Sequence, residues 1–190
     1  MTSEPLSFAG RVRSVAFRAS KARRHYEVWR VYSDPDSRAR LWNALDDYAD
    51  FVNFDEDAHR SLALLELAGL FEHEPKAINF KTVCAELTAV DSTTANAVRS
   101  MIDHHKVVIT KVVRLRHTAV AHRAGKMSND AAYRAVELTA DEFGELTDIA
   151  EKIAGVLAKA CDVEPPLVAF YAANMLDRLF TTVGRRSGSR

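Results

Sequence analysis

"ANAVRSMIDHHKVVITKVVRLR", Ala95 to Arg116, places Ala95, Val98, Ile102, His105, Ile109, Val112 and Arg116 at alternating three- and four-residue steps. That spacing makes a continuous apolar seam along one side of a helix, the pattern used for packing one helix on another. The β-branched residues of "KVVITKVVRL" could pass for a strand, but the length of the stretch and the seam predict a helix. Helical spacing of apolar residues recurs along nearly the whole chain, so the predicted fold class is all-α.

Working outward from the seam, Leu6 to Tyr32 reads as one helix with Val12, Val15, Ala16, Ala19, Tyr26 and Trp29 on a broad face. "SDPD" breaks it, with Asp34 as a cap and Pro35 at the first position of the next helix. Leu41, Leu45, Tyr48 and Val52 carry a stripe into Phe54. From Asp55 to Glu72 the chain is apolar most of the way round, which predicts burial. Residues 36–71 fit one long helix or two, with Asn53 and Glu56 as a cap for a second. The aromatics Trp29, Trp42, Phe51 and Phe54 are expected in the core. "HEPKAINF" is a connector and Phe80 to Leu87 a short helix. Asp91 or Ser92 caps the seam helix, and "GKMSND" from Gly125 ends it. A Thr-x-x-Glu capping box, Thr139 to Glu142, opens a helix reaching Ala160. "EPP" stops the chain, and Leu167 to Val183 forms a last helix. The expectation is a single all-helical domain over 1–184, a bundle of long antiparallel helices, with a polar tail at 185–190 that frays.

Composition sets the outer bounds. The 190 residues are enough for one real core, and the small Gly and Pro content argues against disorder and many-turned β folds. Net charge is zero, yet the charges are segregated. Arg11, Arg13, Arg18, Lys21, Arg23, Arg24 and Arg30 face one acid, Glu27. From Asp34 to Asp57 the balance inverts. Two readings stand: neighbouring helices with complementary solvated faces, or a basic strip (Arg11, Arg18, Lys21, Arg23, Arg24) that meets phosphate. Cys84 and Cys161 have no paired spacing, which fits reduced thiols packed as small hydrophobes and a cytoplasmic setting. "MTSEPLSFAG" lacks a signal-peptide pattern, and no apolar run reaches membrane-spanning length.

The seam ends in chemistry. "LRHTAVAHRAG", Leu115 to Gly125, sets Arg116, His117 and His122 among small apolar residues. A guanidinium is costly to bury unpaired, so Arg116 belongs at a core edge, in a cleft or at an interface, where its planar fork fits a phosphate. Imidazole titrates near neutral pH, which suits His122 to take or give a proton. Six residues at about 100° each put the two side chains roughly 120° apart on an ideal helix. Two seams packed about a two-fold axis would converge both pairs on one groove, so a composite dimer site is expected. The structural alternative is a helix terminus whose last carbonyls meet His122 and Arg123. His104 and His105 do not share a helix face, so no metal site is expected; His105 reads as a hydrogen-bonded core or interface residue, or as a lining of the same groove.

"LRHTAVAH" resembles the motif of the HEPN superfamily: an arginine, a polar residue, a short spacer and a histidine. It is most similar to the AbiU-type abortive-infection branch, and Leu41 to Leu87 is loosely similar over "ALLELAGLFEHEPKAINFKTV". The resemblance implies a helical bundle, usually dimeric, and metal-independent RNA cleavage without a cofactor, leaving a 2′,3′-cyclic phosphate. By position, Arg116 matches the motif arginine, His117 the polar residue and His122 the histidine. Such proteins often act as toxins or anti-phage effectors, restrained by an antitoxin or a nucleotidyltransferase. Ala124 stands where some of them carry the tyrosine that the transferase modifies. A non-catalytic HEPN-like module that binds RNA, a nucleotide or a protein is the alternative.

Overall fold

The computed structural model describes residues 6–121, 129–164 and 172–187, and among these every regular element is helical. Helix α1 spans Phe8–Ser33 and starts at Ser7, whose hydroxyl accepts from the Gly10 N–H at 3.1 Å. Asp34 ends α1 and caps α2 (Pro35–Asp47), accepting from the Ser37 N–H, with Pro35 in the first turn. Residues 36–71 form two helices. The joint is Tyr48, and α3 runs Ala49–Phe71. Asn53 lies inside α3, so the cap expected there is not used.

Helix α4 (Phe80–Leu87) opens with a reciprocal box in which Asn79 and Thr82 satisfy each other's backbone N–H groups. Asp91 caps α5 (Ser92–His104). The seam is helical but not continuous: it breaks at His105 and resumes as α6 (Lys106–Leu115). Nδ1–H of His105 donates to the Met101 carbonyl at 2.8 Å, and Nε2 lies 3.2 Å from Oε1 of Glu145. The histidine is therefore tied to its own helix and to a neighbour. A π-helix, Arg116–Ala121, extends α6. A helix that the periodicity did not show, α7 (Asn129–Val136), precedes α8 (Ala140–Ala160), which begins with the Thr139–Glu142 box. Helix α9 (Ala172–Ser187) carries the chain three residues into the tail expected to fray.

Long helix α1 packs along α3 and α8. The main core joins Val12, Val15, Ala19, Leu64, Leu67, Phe80, Leu115 and Leu157. A smaller second core gathers Val28, Val31, Tyr32, Leu41, Leu45, Val52 and Phe180, roofed by α2 and α9. Two expectations are corrected here. The seam residues Ala95, Val98, Ile102, Ile109, Val112 and Leu115 are buried in this chain's own core, so the seam is not an open face for a second copy. Trp42, Phe51 and Phe54 are exposed, because Leu41, Leu45 and Val52 take the inward side of their helices. Trp29 is half-buried against Phe143, ring centroids 5.6 Å apart. Among the described residues no helix is long and apolar enough to cross a membrane.

Candidate functional site

The site begins with a local failure of the α-helix. The hydroxyl of Thr118 donates to the Arg114 carbonyl at 2.9 Å and approaches that of Leu115 at 3.4 Å. A side-chain donor on those carbonyls competes with the backbone ladder and loosens the turn. The Arg116 N–H already divides itself between the Val112 and Val113 carbonyls. Beyond it the chain is a π-helix, a rare form that concentrates at functional sites. The angle of about 100° per residue does not hold across this segment, so the expected separation of Arg116 and His122 loses its basis. His122 and Arg123 lie outside the described residues.

Arg116 and His117 converge on one carboxylate, Glu72. Nη1 of Arg116 lies 2.8 Å from Oε2 and 3.1 Å from Oε1, and Nε2 of His117 lies 2.8 Å from Oε1. All three side chains are partly exposed, so a ligand from solvent can reach them. The contacts to Glu72 use one guanidinium nitrogen, which leaves Nη2 and Nε unspent on this carboxylate. Glu72 resolves the difficulty of a charge at the end of the seam: Arg116 is paired within the same chain. Sequence reading missed Glu72, because Arg116 lies 44 residues downstream in the chain, with His117 directly after it.

Glu72 is held in place from below. It terminates α3, its N–H donating to the Ala68 carbonyl. The connector after it is pinned by the fully buried Asn79, whose amide donates to the Glu74 carbonyl at 3.0 Å, and by Arg18, which donates to the Ile78 carbonyl at 3.0 Å. Arg18 also meets Glu66 through Nε at 2.9 Å, and Lys21 meets the other oxygen of Glu66 at 2.9 Å. Burial pushes the Glu66 pKa up, but Arg18 and Lys21 outweigh it and hold the carboxyl below its usual range.

The basic strip is therefore largely neutralised within the molecule. Arg11 pairs with Glu86, Arg18 and Lys21 with Glu66, and Arg23 with Glu27 and Asp148. Arg24 is half-buried on the same helix. These acids come from α1, α3, α4 and α8 and not from the acidic stretch 34–57. The pairing of the basic helix with the neighbouring acidic stretch, expected in one reading of the charge pattern, is therefore not what neutralises these side chains.

The remaining candidates are structural. The Cys84 thiol is buried and its pKa is pushed up to about 11 by desolvation, which makes it a small hydrophobe. Cys161 is also free. Among the described residues no three His, Cys, Asp or Glu side chains are grouped to hold a metal ion. A separate polar chain links α1 to α3. Tyr32 donates to Asp55 at 2.6 Å, Asp55 lies 3.6 Å from Nε2 of His59, and Nδ1 of His59 meets Nδ1 of His25 at 2.9 Å. Burial, and then the charge of His59, holds the His25 pKa down at about 4. No protein-family model, curated protein or solved structure matches this chain.

Proposed function

We propose that this chain is a metal-independent endoribonuclease of the HEPN kind, with Arg116 and His122 as its reacting pair and Glu72 and His117 as positioning residues. The observation that carries the reading is the convergence of Arg116 and His117, on a partly exposed π segment, on Glu72 at the end of α3. In the reaction, His122 takes the proton of a ribose 2′-hydroxyl, and the freed oxygen attacks the adjacent phosphorus. Arg116 steadies the charge gathering on the phosphoryl oxygens. The bond to the 5′-oxygen breaks, that oxygen takes up a proton, and a 2′,3′-cyclic phosphate and a 5′-hydroxyl remain. A toxin or anti-phage role, an RNA target and a neutralising partner belong to the same proposal. Because the seam is spent inside one chain, the site is proposed within a single copy.

Incubation with RNA in EDTA, with Arg116→Ala and His122→Ala beside the parent, tests it. Cleavage by the parent that both variants lose is the expected result; equal trace cleavage in all three overturns it. The second reading, binding without turnover, is favoured by one observation: Glu72 already occupies both Arg116 and His117. RNA binding that Arg116→Ala weakens, with no cleavage by the parent, would establish that reading instead.

A further inference from the structure

Four large aromatics stand in solvent at the corner where α2 meets α3. Trp42 is 56% exposed, Tyr48 51%, Phe51 58% and Phe54 74%. Leu41, Leu45 and Val52, interleaved with them, are buried in the second core, so the helices are correctly seated and the aromatics face outward by construction. Scattered exposed apolar residues are ordinary, but Trp, Tyr and Phe gathered at one helix joint mark a surface that another molecule covers.

The charges around them identify the occupant. Asp46, Asp47 and Asp50 are exposed at the same joint. The basic side chains of α2 are already engaged, Arg38 with Glu56 and Arg40 with Asp177. No described residue forms an ion pair with Asp46, Asp47 or Asp50. A second copy of the same face would set acid against acid, and a nucleic acid or an anionic lipid surface would be repelled in the same way. The complement is cationic and apolar together. We propose that the α2–α3 corner is a protein-docking face whose partner is a cationic polypeptide segment with apolar anchors. The proposal uses none of the chemistry at Arg116.

Trp42 is the reporter. The probe is a synthetic peptide with Leu and Lys at amphipathic-helix spacing, and the control has Glu in place of every Lys. Titration of the Lys peptide should shift tryptophan emission to the blue, saturably, and more weakly as salt is added. Trp42→Phe should abolish the shift, since Trp29 is half-buried elsewhere. The combined variant Asp46→Asn, Asp47→Asn, Asp50→Asn and the single variant Phe54→Ser should each weaken binding at least ten-fold. All are surface changes that leave both cores intact. The proposal is overturned if the Glu peptide binds as well, or if the variants bind like the parent. A blue shift on concentrating the protein alone, with its mass doubling in sedimentation, would overturn it in favour of a second copy.

Discussion

The smallest residues make the sharpest tests. Gly144 sits beneath the Tyr26 ring on α8, and a Cβ there would fall inside the contact distance of the Tyr26 hydroxyl, which donates to the Ala140 carbonyl. Gly155, on the same helix, meets nothing within 4 Å. The same substitution should therefore have opposite signs. Gly144→Ala should destabilise by ~1–3 kcal/mol through overpacking, and Gly155→Ala should stabilise by ~0.8–1 kcal/mol through helix propensity; urea midpoints decide both. At the candidate site, Glu72→Gln removes the charge that holds Arg116 and His117. A partly exposed ion pair is worth ~0–1 kcal/mol, so stability should hardly move. RNA affinity should rise by up to about five-fold as Arg116 becomes available to phosphate. Anisotropy titration at fixed salt reads this, and an unchanged affinity would mean that Arg116 does not meet phosphate.

At the scale of the element, the ends of helices are where sequence and structure agree best. Pro35, Asp91 and the Thr139–Glu142 box sit where expected because a cap is a local hydrogen bond between near neighbours. Outward and inward faces were harder to tell apart. Around Trp42 and Phe54 both sides of the helix are apolar, and the choice of Leu41 and Val52 for the interior depends on α1 and α9, distant in the chain. The π segment and the break at His105 were also hidden, since Thr118 and His105 act on carbonyls that no periodicity count sees. Two C-terminal ends remain improvable. Asp162 takes φ 48° just past α8, where the Val163 N–H donates to the Ala158 carbonyl, and Glu137 takes φ 53° past α7. Both are left-handed positions that favour glycine. Glu137→Gly should raise stability by ~1 kcal/mol, and Asp162→Gly by less, since aspartate tolerates this conformation better. Thermal melts should show both increments.

For the whole molecule, acid should act in two stages. The His25 pKa is held at about 4 by burial, then by His59, Lys21 and Arg24, with Glu66 opposing; that of His59 is also lowered, chiefly by burial. A depressed histidine pKa means that the unfolded chain protonates first. Stability is therefore complete above about 6.5, and it drains away as pH falls from there toward about 4. The lowered carboxyls Glu66, Asp34, Asp91 and Glu142 withdraw their contributions only below their ordinary range. His25→Asn should flatten the first stage in urea midpoints taken across that window and leave the second. The two cores that share α1 and α3 have a consequence in time. The second core is small and depends on α2 and α9 alone to close it. Its amide protons should exchange with solvent through a shallower opening than those of α8 in the main core. Helix α1, continuous from Phe8 to Ser33, would then record two exchange lifetimes along one unbroken ladder, slow at Val15 and fast at Val31.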